Sequence, residues 1–266
     1  MDELRKEIEK FLTFPPISEQ IGAKPSFGRL KLFDSRSNDH MMRKMMRKAP
    51  KSFAKRERYW RYRWQGDQGT SSMCTAFMFL HLFEHEPVNH PRSYGKYKNF
   101  PIPVVNPRTL YCEAQQIDPW EGGCGVSQLN DAYDGTSVLA MMKVAQARGF
   151  ISSYAWEFND IDTIVEALLT RGPVAVGTDW YVNMSLYKGQ PNAQEALVLP
   201  TGKLEGGHAY LLDGINLTKA GKGKEIRLFN SWGPMWGWNG HAFMSLDTLD
   251  KLLNADGEAV IVEENP

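Results

Sequence analysis

The sequence is short of the features that mark the simplest functional classes. Lysine plus arginine equals aspartate plus glutamate, 31 of each in 266 residues, so no cationic excess points to nucleic acid and no acidic excess to a disordered tail. Three cysteines are too few for a disulfide scaffold, and the odd number leaves at least one thiol within a single chain. No run approaches the roughly 18–20 uninterrupted apolar residues of a membrane helix. The N-terminus, MDELRKEIEKFLTF, mixes both charges and lacks the apolar centre of a signal peptide. Fifteen prolines and 23 glycines exclude collagen-like and low-complexity chains, and there is no internal repeat. What remains is a soluble globular composition, long enough for one large domain or two small ones. With no leader, no membrane span and no disulfide framework, a reducing setting is expected, cytoplasmic or virion-associated.

The zero net charge hides an uneven distribution. From Arg36 to Arg63 there are 11 basic residues against two acids, Asp39 and Glu57, and the rest of the chain carries 20 basic and 29 acidic residues. Either this stretch lies against the chain's own acidic surface, or residues 36–63 contact an acidic partner or an assembly. Tyr59, Trp60, Tyr62 and Trp64 interleave with its end. Such aromatics suit base stacking, but they also suit the first core strand of the following domain, which is the reading adopted; neither nucleic acid nor membrane is expected as a partner.

Apolar periodicity gives the elements. Leu4, Ile8, Phe11 and Leu12 form a short amphipathic face over residues 2–12, and Pro15 and Pro16 stop it. Residues 15–40 read as extended and irregular, and His40–Lys48 as a Met-rich basic helix whose side chains adapt to an uneven surface. Cys74–Phe83 is apolar almost all round, the mark of a buried helix. Further helices are expected at Pro107–Gln116, Ser137–Ala147 and Ile161–Leu169. Val174–Val176, His208–Ile215, Glu225–Phe229 and His241–Ser245 read as strands. Helices first and strands later predict an α+β fold with a cleft between two lobes.

The strongest chemical signal is Asp67-Gln68-Gly69-Thr70-Ser71-Ser72-Met73-Cys74-Thr75-Ala76-Phe77. A glycine-bearing loop delivers Cys74 to the first turn of the buried helix, where free N–H groups and the helix dipole are expected to lower the thiol pKa. Alone, such a cysteine is more often a small hydrophobe. A nucleophile also needs a base and an oxyanion donor, and Gln68 offers a carboxamide. His208 follows Gly206-Gly207 at the mouth of a strand, the natural base. Asn230, in Asn230-Ser231-Trp232-Gly233, can fix the imidazole tautomer, with Trp232 shielding that bond from water.

These residues, in this chain order, resemble papain-family cysteine proteases, particularly the bacterial and viral branch whose active-site loop reads Asp-Gln-Gly…Cys-Thr-Ala. The Asn-Ser-Trp-Gly…Trp-Gly…Asn-Gly block at 230–240 is highly specific to that family, and the resemblance runs from Pro50 to about Ser245. It implies a papain-like two-lobed fold, with a helical left lobe, an antiparallel β-barrel-like right lobe and the active site between them. It further implies a peptidase domain over 49–266 preceded by an extension over 1–48, for which a docking or self-restraining role is expected. By this resemblance Cys74, His208, Asn230 and Gln68 are nucleophile, base, orienting residue and oxyanion donor. Gly135 and Thr136 fall on the substrate-pairing segment beside the second specificity pocket and Gly177 on the strand that helps to wall it, and Gly207, Ala209 and Trp232 are further substrate-binding positions. A protein or peptide is the implied substrate, hydrolysed through a thioester acyl-enzyme, with no cofactor and no metal.

The departures are specific. Ser72 and Met73 stand for the family's glycine and serine before the nucleophile, and Thr75 for its tryptophan. The family's cysteine three residues before the nucleophile is Ser71, and its partner corresponds to Tyr133, so that bridge is missing; Cys112 and Cys124 are expected to be packing residues. His81-Leu82-Phe83-Glu84-His85 spells an inverted zinc-peptidase motif, but a helix this apolar favours two histidines that finish a helix as cations near its C-terminal dipole. His40, His90 and His241 show no partner pattern. Two other functions share the triad or the fold: a catalytically silent binding protein, and a thiol hydrolase acting on cell-wall peptides.

Overall fold

Alternation along the strands gives one sheet an apolar core on each face. The computed structural model describes residues 27–46, 56–88, 105–120, 124, 134–186, 196–218 and 225–264. Its strands are β1 (Glu57–Tyr59), β2 (Ile151–Glu157), β3 (Val174–Tyr181), β4 (Leu204–Asn216), β5 (Glu225–Phe229), β6 (His241–Ser245) and β7 (Glu258–Glu264). They form an antiparallel sheet in the order β2-β7-β3-β4-β5-β6, with β1 added against β4. Val174 and Val176 of β3 join Tyr210 and Leu212 of β4 in one core, while Ala175, Ala209 and Leu211 join the other.

The first core is closed by α5 (Ile161–Thr170) and α6 (Leu246–Asn254), which contribute Ile164, Leu168, Leu249 and Leu252. The second is a helical lobe of α2 (Cys74–Phe83), α3 (Pro107–Ile117) and α4 (Val138–Ala147). Every residue of α2 is buried, as its all-round apolar character requires, and each Phe or Leu so placed contributes about 1.5–3 kcal/mol. Asn106, Ser137, Asp160 and Ser245 cap α3, α4, α5 and α6 by accepting from backbone N–H groups, which fixes where those helices start. At α2 the cap position is Met73, with no side-chain cap.

The structure corrects several expectations. The Met-rich helix is reduced to a 3-10 turn over Ser35–His40 and one α-turn, α1 (Met42–Met45); residues 47–50, and the amphipathic face at 2–12, lie outside the described residues. Met42 and Met46 nevertheless pack into the first core, Arg43 pairs with Asp160, and Arg171 donates to the Met45 carbonyl at 2.8 Å. Strands β2 and β7 and helix α6 were not expected. Cys112 and Cys124 are not packing thiols: they form a disulfide across 12 residues, with Cα atoms 5.0 Å apart. The sequence spacing carries no sign of this pairing, and the reducing setting loses one of its supports. Among the described residues no helix is long and apolar enough to cross a membrane. The aromatics of the basic stretch are used internally: Trp60 is buried and donates to the Leu168 carbonyl at 2.9 Å, and Trp64 stacks on Phe77 with ring centres 5.8 Å apart.

Candidate active site

Cys74 opens α2 at the seam between the helical lobe and the sheet, fully buried and without a disulfide. It packs in the same buried core as Ala209 of strand β4. One residue before Ala209, the His208 ring is also fully buried. Its Nε2 lies 2.8 Å from Asn230 Oδ1, and because that oxygen can only accept, the proton belongs on Nε2. Nδ1 is then left as an acceptor, buried and with no hydrogen-bond partner among the described residues. Trp232 stacks on the imidazole with centroids 4.7 Å apart, and Trp180 meets it edge-on at 4.8 Å.

Gln68 is buried and tied to the same segment as Asn230. Its backbone N–H donates to the Ser231 carbonyl at 2.7 Å, its Oε1 accepts from the Ser231 hydroxyl at 2.6 Å, and its Nε2 donates to the Ser71 carbonyl at 2.6 Å. The two loops that carry Gln68 and Asn230 are thus locked together, with a bridge between Asp67 and Trp232. The opposite wall of the cleft is built by α3. Tyr111 Oη accepts from the Gly135 N–H at 2.7 Å, Gln115 Nε2 donates to the Gly135 carbonyl at 3.0 Å, and Thr136 Oγ1 donates to Asp118 at 2.6 Å. The Cys112–Cys124 bridge closes the loop that holds Gln115 and Asp118.

Residues Phe27–Leu32 run through this cleft as an extended strap. The Arg29 N–H donates to the Gly207 carbonyl at 3.0 Å on one wall. On the other, Leu30 donates to the Thr136 carbonyl at 3.0 Å and Thr136 donates back to Gly28 at 2.8 Å, a parallel bridge. Phe27 lies edge-on to His208 and Trp232, each at 5.9 Å. Gly28 passes so close to the loop before the nucleophile that a Cβ on it would fall 1.8 Å from the Ser72 carbonyl oxygen; only glycine fits there. Gly177 borders the Arg29 side chain. Gly135, Thr136, Gly177 and Gly207 thus stand along the strap's path and Trp232 against the histidine, whereas Ala209 packs into the second core. The strap was missed beforehand: a glycine between Phe27 and Arg29 in an otherwise irregular stretch has no local signature.

Coverage sets the electrostatics. Burial pushes the Cys74 thiol up to about 11, against the lowering effect of the backbone hydrogen bonds and the Arg29 charge. The expectation of a lowered thiol pKa is thereby overturned in this covered state, because desolvation outweighs one helix end. Burial likewise pushes His208 down to about 4, with the Asn230 bond opposing it. In this state the pair is a neutral thiol and a neutral imidazole.

Two of the other histidines, His85 and His241, lie in a separate buried group around Asp213. His85 Nε2 and His241 Nε2 each lie 3.4 Å from Asp213 Oδ2, and Arg227 donates to the same carboxylate at 2.9 and 2.7 Å. His81 Nε2 accepts from the Gly66 N–H at 3.0 Å, and burial holds its pKa well below the ordinary value. His81 is thus not the helix-end cation expected of it, since it is buried under Trp64 and Phe229 and already used as an acceptor. No metal-binding group of three or more His, Cys, Asp or Glu occurs among the described residues. His241, for which no partner was expected, finds Asp213 through the β4–β5–β6 register.

No family model matches this sequence, and no curated protein does. Among solved structures, the fold matches xylellain, a cysteine protease from Xylella fastidiosa, with TM-score 0.60 and 17% identity over 91% of this chain and 97% of that one. It matches digestive procathepsin L2 from the Tenebrio molitor larval midgut with TM-score 0.61 and 17% identity, over 90% and 78%. Bromelain from Ananas comosus, in complex with the E64 inhibitor, gives 0.54 and 17% over 80% and 100%. The chain has the two-lobed α+β fold of papain-like cysteine proteases.

Proposed function

We propose that this protein is a papain-like cysteine endopeptidase held silent by its own N-terminal segment. The observation that carries the reading is the His208 ring, fixed by Asn230 at 2.8 Å and roofed by Trp232, with an Nδ1 that has no partner among the described residues and with the next residue, Ala209, in the same buried core as Cys74. A scaffold protein gains nothing from a buried imidazole with one idle nitrogen, since such a group costs free energy.

When the strap leaves, water returns to the cleft and both desolvation penalties relax. Cys74 then gives its proton to His208 Nδ1 and attacks a peptide carbonyl. The Cys74 N–H, at the start of a helix with no side-chain cap, and the Gln68 amide hold the oxyanion. The imidazolium protonates the leaving amine, and water activated by the neutral ring hydrolyses the thioester. Asn230 keeps the tautomer throughout.

The full-length Gly28→Ala chain, in which the strap cannot seat, should hydrolyse a mixed peptide library and lose that activity when Cys74→Ala is added. Purified peptidoglycan stem peptides run in parallel identify the alternative thiol hydrolase if they alone are cut. A folded Gly28→Ala chain that turns over neither substrate makes the protein a silent papain-fold binder and rejects the proposal.

A further inference from the structure

The wall that pairs with the strap is supported from behind by the disulfide. Cys112 lies on α3 and Cys124 beyond its end, and both are half-buried, so a reagent in solvent can reach the bridge. Cys124 is tied to α3 a second time, because its N–H donates to Gln115 Oε1 at 3.1 Å. With that oxygen accepting, the carboxamide turns its nitrogen to the other side. There Nε2 donates to the Tyr111 hydroxyl at 2.9 Å and to the Gly135 carbonyl at 3.0 Å. Tyr111 in turn accepts from the Gly135 N–H at 2.7 Å, so α3 grips Gly135 by both of its backbone polar groups.

Gly135 needs that grip. Its φ is +108°, a region open to glycine, whose freedom leaves the turn unfixed by its own backbone preference. A Cβ there would also fall 2.4 Å from the Gly28 carbonyl oxygen. The next residue, Thr136, donates to Gly28 at 2.8 Å and accepts from Leu30 at 3.0 Å, and its hydroxyl reaches Asp118, inside the bridged loop, at 2.6 Å. Both strap bonds to Thr136 therefore hang on a segment that α3 and the bridged loop position. Closing a loop with a disulfide removes open states of the chain. Without the bridge, the tie between Cys124 and Gln115 rests on a part-buried hydrogen bond for which water competes.

We infer that the Cys112–Cys124 pair is a thiol-exchange site through which a dithiol reductant loosens this wall and releases the strap. A thiolate of the reductant attacks one bridge sulfur, the S–S bond breaks, and the other cysteine leaves as a thiolate. The reductant's second thiol, deprotonated, attacks the mixed disulfide and frees the first cysteine. Two electrons have then passed to the protein, the reductant has become a disulfide, and its two protons reside on the two cysteines. A small disulfide such as oxidised glutathione reverses the exchange and restores the wall. The inference rests on the strap covering the cleft, and it concerns the strap's hold rather than the reaction in the cleft.

Amide hydrogen exchange followed by NMR at pH 7 tests it on three full-length samples: the oxidised chain, the same chain in excess dithiothreitol, and the Cys112→Ser, Cys124→Ser chain. Alkylation of a denatured aliquot reports whether the bridge is open. In the reduced chain the Leu30 and Thr136 amides should exchange about tenfold faster or more, as loss of a loop closure implies, while the β4 and β5 amides beside Asp213 stay protected. The double-serine chain should match the reduced chain and respond no further to dithiothreitol. Oxidised glutathione should return the reduced natural chain to slow exchange. Unchanged exchange at Leu30 and Thr136 with the bridge open overturns the inference, as does a bridge that excess dithiothreitol leaves closed in the folded chain. Acceleration by dithiothreitol in the double-serine chain overturns it too, and so does a general loss of protection, which would make the bridge a staple of the whole fold. Peptide hydrolysis is recorded alongside: if the strap is released and nothing is cleaved, the peptidase reading fails and this inference stands. If the double-serine chain does not fold, the reduced and reoxidised natural chain decides.

Discussion

Asp213 and Asn230 each hold buried histidines, the first with a full counter-charge at hand and the second with none. Around Asp213 the charge is compensated by Arg227 at 2.7 Å, and His85 and His241 complete its shell. Around Asn230 the partner is a neutral amide, and the His208 Nδ1 has nothing to bond to. Both sites draw on strand β4, and Asp213, His208 and Asn230 are all fully buried. The difference is one of charge: the Asp213 carboxylate is paired with a guanidinium inside the fold, whereas the His208 ring meets a neutral amide and keeps an Nδ1 with no partner among the described residues.

The largest effects should come from breaking each site. In the strap-released chain, His208→Ala should lower peptide cleavage by on the order of a thousandfold or more, with little change in thermal midpoint. Asp213→Ala should do the reverse, costing about 3–5 kcal/mol of stability by stranding Arg227, with loss of activity only in proportion to loss of folded protein. Paired melting curves and cleavage rates distinguish them; a His208→Ala chain that melts far lower while cleaving normally would erase the contrast.

Acid should act on the His208 site. His208 takes a proton at about 4 in the covered state, against about 6.5 for an exposed imidazole, and it is enclosed by Phe27, Trp180, Tyr210, Trp232 and Asn230 with no carboxylate among them. Protonation therefore favours any state in which the ring is uncovered. Closure is at full strength above about pH 6.5 and weakens as pH falls toward 4, by about 3 kcal/mol across the window. Hydrogen exchange at the Arg29 and Leu30 amides should quicken over that range, whereas the amides of β4 and β5 beside Asp213 should stay protected. The smallest effect belongs to Lys31→Ala: its half-exposed pairs with Asp179 and Asp256 should be worth under about 1 kcal/mol of strap affinity, read as a modest rise in cleavage.

Much of this was legible in the residues. The all-round apolar run after Cys74, the glycines before His208 and the Asn-Ser-Trp block each specify local structure, and the fold sets them around one cleft. What escaped depends on distant pairings. Glu258 begins an ordinary apolar strand, and its meaning arises only when β7 inserts between β2 and β3 and brings it to Arg29, 229 residues away. The Cys112–Cys124 bridge and the Asp213 cluster are likewise products of register and topology. The direction of the Cys74 shift was misread because one helix end was weighed without the segment that covers it.

The account stands most directly on whether the strap silences Cys74. Iodoacetamide labelling followed by mass spectrometry, at pH 7 on full-length protein, measures it. With the thiol pushed up to about 11 under the strap, Cys74 should label very slowly. In the Gly28→Ala chain, where the added methyl meets the Ser72 carbonyl, labelling should rise on the order of a hundredfold as the thiol returns to an ordinary or lower pKa. Equal rates in the two folded chains would contradict the claim that residues Phe27–Leu32 hold the nucleophile in check.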